Sequence, residues 1–407
     1  MRFVAAARVE PVLAGCCGLA SLVTAFLTGY AGTLGALAFV LSWLPYVAVF
    51  PRRALSVLTR GPGFVIWMIP GLALASIAWS DSAAATAWYG VQLAVTVAVA
   101  VLLARLVPPA RLLLLLAAAV YFVAGLCLTI GLSSIDPLTG AVSYIGIFGS
   151  KNQFGLLIVL LILTSTAISL GREQPAAFRL GAMLALPVAV PLLVQSRSAG
   201  AYATVVVALT ALIGTYVLAR QRPVDRALLI LGGSLIVIPV LGLAVFAGDA
   251  FEFVVSDLLQ RDTTLTGRTE LWDYARGLIA GRPWLGTGFA AFWQAGNPDA
   301  DLILRKFYVT EGFNFHNGWL DIAVQLGYPG MALLTLAFAA AMGRCIAWTW
   351  RAPSFTTSFF AAESLQFCFR AYFEVELPVA FHASTLLFFT MLVVGMDSAR
   401  TAPASAR

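Results

Sequence analysis

Along most of this chain the apolar positions do not alternate with polar ones. They run on for about twenty residues at a time, the length a helix needs to cross the hydrocarbon core of a bilayer. Each run stops at a short cluster holding Arg, Pro or Gly. The pattern predicts spans at 12–29, 31–50, 62–80, 87–104, 112–131, 153–170, 180–195, 199–219, 227–247, a broken one at 317–343, then 355–372 and 378–396. That makes about twelve transmembrane helices with both termini on one side. A β-barrel would alternate apolar and polar residues in segments of about ten, and that pattern is missing.

Composition supports the same class. Of 407 residues, 60% are hydrophobic and only 11% charged, against about 25% charged in ordinary soluble domains. The expectation is an all-α integral membrane protein, a single polytopic domain over residues 1–407. The formal charge of +6 does not indicate nucleic acid, because the basic residues lie between apolar runs rather than in one patch. The five cysteines (Cys16, Cys17, Cys127, Cys345, Cys368) lie in or beside apolar runs and lack zinc or redox spacing. They read as small buried residues. Arg2 and Arg8 precede the first run as in a signal peptide, but further spans follow at once, so it is read as an uncleaved helix.

Basic residues orient the spans, since Arg and Lys favour cytoplasmic loops. With the N-terminus in the cytoplasm, nine fall outside: Lys151, Arg197, Arg261, Arg268, Arg276, Arg282, Arg305, Lys306 and Arg370. The other sixteen of the 25 fall inside. Acidic residues go mostly the other way, chiefly into 249–311. This outer connection, 248–315, is too short for a comfortable separate domain. It is expected to pack as a cap on the outer face of the bundle. Within it, Leu271, Trp272, Ala275, Leu278 and Ile279 make one apolar helical face, with Thr266 or Gly267 as cap and Gly281 and Pro283 as stop. Arg268 would then sit in the first turn. A cation there opposes the helix dipole, a cost that an anionic ligand at the same end would offset.

Charges at a membrane boundary are costly and call for a reason. Four outer places hold them: Lys151 with Asn152, Arg197 between Ser196 and Ser198, the Arg268 helix, and Arg370 with Glu374 and Glu376. Lys151 and Arg370 read equally as structural groups (interface anchors or ion pairs) and as functional ones, and Arg370 and Glu374, four apart, could simply pair. Arg197, between serines and followed by Gly200, offers donors and close backbone approach suited to phosphate. Several cations on one face suggest a diphosphate at headgroup level.

His316, one of two histidines, can act as base or acid near neutral pH. Asn317, Asp321 and Gln325 follow it at intervals of four and share one helical face. The stripe is expected to line a wet cavity, and Gly327-Tyr328-Pro329-Gly330 to break the helix. His382 has no comparable setting and reads as structural. There is no DxD or HExxH, no His/Cys cluster and no nucleotide-binding glycine fingerprint. No metal or cofactor is expected, and a nucleotide-sugar donor is disfavoured.

At this point the chain resembles the O-antigen ligase/polymerase superfamily, bacterial integral-membrane glycosyltransferases of the GT-C type. Its ligase motif is His, then Asn, Ser or Gln, nine residues, Gly, two residues, and Gly, Thr or Tyr. His316, Asn317, Gly327 and Gly330 match it. Ser196-Arg197-Ser198 and Thr266-Gly267-Arg268-Thr269-Glu270 resemble the family's two arginine positions. The resemblance covers about 145 to 394. Where ligases often have Gly-Asn-Pro-Asn, this chain has Phe148-Gly149-Ser150-Lys151-Asn152-Gln153, which is more similar to the exopolysaccharide polymerase (ExoQ-like) branch.

The resemblance implies a donor glycan on undecaprenyl diphosphate and a glycan or lipid-linked acceptor. Arg197 and Arg268 would bind the diphosphate. His316 would bind or deprotonate the acceptor hydroxyl, giving metal-independent transfer with inversion. Lys151, Asn152, Asn317, Asp321, Arg370 and Glu374 are the further substrate-binding candidates. The setting implied is the bacterial inner membrane, termini cytoplasmic and site periplasmic, among membrane lipids and other polysaccharide export proteins. A transporter or flippase of a lipid-linked or anionic solute is the alternative from another class, but it usually shows matched broken helices in two halves, and one is evident here. A membrane scaffold is the third reading, and the clustered outer arginines argue against it.

Overall fold

A computed structural model of the chain describes residues 2–61, 63–135, 140, 142–246, 264–307 and 313–398. The helices are α1 (Arg2–Leu41), α2 (Leu44–Val49), α3 (Pro51–Thr59), α4 (Gly63–Ala75), α5 (Ala83–Leu106), α6 (Pro109–Ile130), α7 (Lys151–Leu170), α8 (Ala176–Ser196), α9 (Ala199–Ala219), α10 (Pro223–Phe246), α11 (Thr264–Gly281), α12 (Pro298–Lys306), α13 (Gly318–Arg351), α14 (Phe355–Arg370) and α15 (Ala383–Ser398). The all-helical expectation needs one small addition. Leu132–Ile135 (β1) and Val142–Gly146 (β2) form a two-stranded antiparallel hairpin between α6 and α7.

By length and composition, seven described helices can cross a membrane, or eight if the sharply bent pair Pro51–Thr59 and Phe64–Ala78 is one span. Not all of the expected twelve are among these. The runs at 12–29 and 31–50 are carried mainly by α1, which is kinked at Gly32 (φ 55°). The helices near 355–372 and 378–396 are 16 residues long, just under the roughly 17 residues of the shortest crossings. Residues 247–263, with Arg261, and 308–312 of the expected outer connection lie outside the described residues, as do Met1 and 399–407 at the termini.

The centre of the bundle is α7, buried along nearly its whole length and packed on α6, α8, α9 and α14. In lipid, apolar burial gives helices little reason to associate; close packing does, so small residues mark the contacts. Gly155 on α7 is one. A Cβ there would lie 2.8 Å from Cβ of Ala201 on α9. This contact brings Asn152, at the start of α7, and Ser198, before α9, together.

The outer connection builds a second, smaller core. Leu271, Ala275 and Ile279 of α11 bury their common face with Phe292, Ala300, Ile303 and Phe315. The amphipathic face read from the sequence is the buried one. The helix begins at Thr264, earlier than the expected cap at Thr266 or Gly267. Arg268 therefore lies in its second turn, and the helix-dipole argument for an anion at that residue is weaker than expected.

This small core is locked to the bundle through the break in α13. Gly327 has φ 65° and ψ −169°, and the residues before it lose their helical partners. Segment 283–288 supplies replacements: Thr287 N–H donates to the Val324 carbonyl, Gly288 N–H to the Gln325 carbonyl (both 2.9 Å), and Tyr328 N–H to the Pro283 carbonyl (2.7 Å). The backbones approach so closely that a Cβ at Gly327 would sit 2.6 Å from the Trp284 carbonyl carbon. On its other side, the segment is tied down by Arg282 to Asp81 (2.5 Å) and by Trp79 Nε1 to the Leu285 carbonyl (2.7 Å).

Candidate active site

The loop between α14 and α15 carries Glu374, a largely buried carboxylate on which distant parts of the chain converge. Its Oε1 accepts from Asn152 Nδ2 at 2.7 Å and from an Arg268 terminal nitrogen at 3.2 Å. His316 Nδ1 lies 3.5 Å from Oε2. That is ion-pair distance, longer than a formed hydrogen bond. Glu374 was expected as a secondary substrate contact; it is the hub. Burial pushes its carboxyl up, but the polar contact and charge of His316 and the charges of Arg268 and Arg370 outweigh burial and hold it below its ordinary value.

His316 reaches the hub through a strained backbone, φ 48°. Such a conformation in a non-glycine residue costs about 1–3 kcal/mol and persists where surroundings enforce it. Here they do. Its N–H donates to Asn314 Oδ1 (2.8 Å), and Trp272 Nε1 of α11 holds the preceding Phe315 carbonyl (2.9 Å). The next residue, Asn317, caps α13 by accepting from Trp319 and Leu320 N–H, while its Nδ2 donates to the Tyr372 carbonyl (3.0 Å). Asn317 is therefore occupied in fixing His316 and the 371–374 loop, where a substrate contact was expected. Trp272 and Tyr372 also pack edge to face. Their positioning roles had no sequence signal beyond aromatic residues near charged ones.

Arg197 is joined to the hub through its neighbour. It ends α8 in the left-handed region (φ 47°, ψ 30°). Ser198 caps α9 and donates to Asn152 Oδ1 at 3.1 Å, and Asn152 in turn binds Glu374. Lys151, adjacent to Asn152, opens α7. Gly200 is required below: a Cβ there would come within 2.7 Å of the Phe373 ring.

Two expectations change. Arg370 does not pair with Glu374 through its side chain. Its guanidinium is buried against Glu376 and reaches the Asn152 carbonyl at 3.3 Å, so it lies behind the hub as support. Helix α14 stops at Arg370; the Glu374 N–H still donates to the Arg370 carbonyl (2.8 Å), while the two side chains take different partners. The stripe Asp321 and Gln325 does not line an open cavity. Gln325 bonds Asp321 at 2.5 Å and accepts from Ala290 N–H at 2.7 Å. Both are buried, and they fasten the outer segment to α13.

Fold and site together define a multi-pass helical membrane protein with a cationic cluster and one imidazole around a buried carboxylate. Residues 182–335 match the family described as O-antigen ligase, a stretch that includes Arg197, Arg268 and His316. The chain is also 28% identical over 366 residues, covering 88% of this chain and 82% of the relative, to "Exopolysaccharide production protein ExoQ" of Rhizobium meliloti (strain 1021). Both findings support the O-antigen ligase/ExoQ-like superfamily, and with it a glycan-transferring enzyme of ligase or polymerase type.

Proposed function

We propose that the chain is an inverting, metal-independent glycosyltransferase of the inner membrane. It moves a glycan from undecaprenyl diphosphate to an acceptor hydroxyl on the periplasmic face, in making exopolysaccharide or another surface polysaccharide. The carrying observation is the meeting of His316 and Arg268 on Glu374, with Asn152 and Ser198 linking the Arg197 turn to the same carboxylate. The chemistry follows from that arrangement. Glu374, 3.5 Å from Nδ1, attracts that side of the imidazole electrostatically and leaves Nε2 to take the acceptor proton. The acceptor oxygen attacks the anomeric carbon, the bond to the diphosphate breaks, and the leaving charge is held by Arg268 and Arg197. Before donor binds, Glu374 supplies the counter-charge that the diphosphate later provides to Arg268. The relative named for exopolysaccharide production favours exopolysaccharide as the product. The periplasmic placement is supported by the sequence, in which sixteen of the 25 basic residues fall on the other side of the expected spans.

The test uses purified chain, an undecaprenyl-diphosphate glycan and candidate acceptors, with products read by mass spectrometry. His316→Ala should lower transfer by about 10²–10⁴-fold. Arg268→Ala should lower it by about 10²–10³-fold. The rate should persist in EDTA. Wild-type product from either variant would remove the assignment, and movement of donor across the bilayer without a new glycosidic bond would favour a transporter.

A further inference from the structure

Four helices connect the Glu374 site with a second polar cluster. Helix α7 starts at Lys151 and ends beside Ser169; α8 runs from the neighbourhood of Arg179 to Ser196; α9 runs from Ser198 to Arg220; α14 runs from Phe355 to Arg370. The 20 residues of α7, at about 1.5 Å each, extend about 30 Å, one hydrocarbon thickness. The two clusters therefore lie on opposite membrane faces. At the far end, Arg172, Arg179 and Arg220 line one cavity of about 590 Å³, walled by Tyr216 and Phe355. These two rings stack at 4.1 Å, and the Arg220 guanidinium lies 4.9 Å from the Tyr216 ring. Arg179 Nε donates to the Ser169 carbonyl at 3.2 Å, which fixes its head.

The charges in this cavity are not balanced from within. Glu173, the carboxylate in the lining, is engaged by the N–H and hydroxyl of Thr356 at 2.9 and 3.0 Å. Among the described residues no carboxylate lies within ion-pair distance of Arg172, Arg179 or Arg220. The general inward bias of basic residues explains arginines on this face. It does not explain three around one cavity, two from the α7–α8 region and one from the end of α9, where they repel one another.

We propose that this cavity binds a phosphate-bearing anion, the headgroup of an anionic phospholipid in the leaflet opposite the Glu374 site. Guanidinium forks match phosphate oxygens, the aromatic stack holds Arg220 in place, and the cavity lies at helix ends, where headgroups are. A soluble phosphate ester shares the chemistry. The assignment is independent of the reaction at the Glu374 site.

The experiment is native mass spectrometry of the full chain in detergent with added dioleoylphosphatidylglycerol or dioleoylphosphatidylcholine. Wild type should hold the anionic lipid at least about tenfold more tightly, with roughly fivefold arising per arginine. The variant Arg172→Gln/Arg179→Gln/Arg220→Gln should lose that preference. The milder Arg172→Gln/Arg220→Gln leaves the Arg179–Ser169 bond intact and decides the matter if the triple variant does not fold. Displacement of the lipid by glycerol phosphate or inorganic phosphate would support the site and assign its ligand to a soluble source. No preference in wild type, or an undiminished preference in a folded variant, would overturn the proposal.

Discussion

Glu374 lies outside the helices, and its ionisation is set by neighbours contributed from α7, α11 and the turn before α13. Its carboxyl is held below the ordinary value of 4.5, which fixes the sign of its linkage to pH. The stability it contributes is present above the unfolded value and is lost as pH falls through the lower folded value. Thermal unfolding followed from pH 7 to acid should show an acid-side loss in wild type that is smaller in Glu374→Gln. Equal losses in both would refute the hub. The same variant should retain fold at neutral pH while transferring glycan poorly, because neither Arg268 nor His316 keeps its charged partner.

At the scale of elements, the decisive feature is the insertion of segment 283–288 into the broken helix α13. Gly327 is needed twice, once for its positive φ and once because the Pro283 and Trp284 backbone occupies the space of a side chain. Gly327→Ala combines a left-handed penalty with a backbone clash and should cost about 1–3 kcal/mol or more. The drop should appear in the melting temperature of the purified protein. Loss of the dock would also release the 313–317 turn, so transfer should fall further than unfolding accounts for. Gly343 on the same helix has nothing within 4 Å of a Cβ, and Gly343→Ala should leave melting unchanged or slightly raised. A melting curve for Gly327→Ala that matches wild type would rule out the docking account.

At the scale of the molecule, opposite ends of α7, α8, α9 and α14 carry the Glu374 site and the arginine cavity. The periplasmic assignment of the first end is directly testable. In a background with its cysteines replaced by alanine, exposed Asp299→Cys on α12 should react with a membrane-impermeant maleimide added to intact cells with a permeabilised outer membrane. Exposed Arg222→Cys, between α9 and α10, should react only after lysis. The reverse pattern would invert the protein and move the proposed chemistry to the cytoplasm.

The sequence by itself determined the membrane class, the apolar face of α11, the break near Gly327 and the identity of His316, Arg268 and Arg197 as chemical candidates. Each is carried by a local signal: hydropathy over one helix length, a spacing of three or four, a glycine beside a proline. Tertiary structure decided the partners. Arg370 turned to Glu376 because α14 ends before Glu374. Asp321 and Gln325 became fasteners because segment 283–290 covers them. Glu374 became the hub because close packing at Gly155 and the docked outer segment bring Asn152, Arg268 and His316 to one carboxylate. Contacts between residues dozens to hundreds of positions apart depend on how whole helices pack, and no local pattern of residue types encodes that.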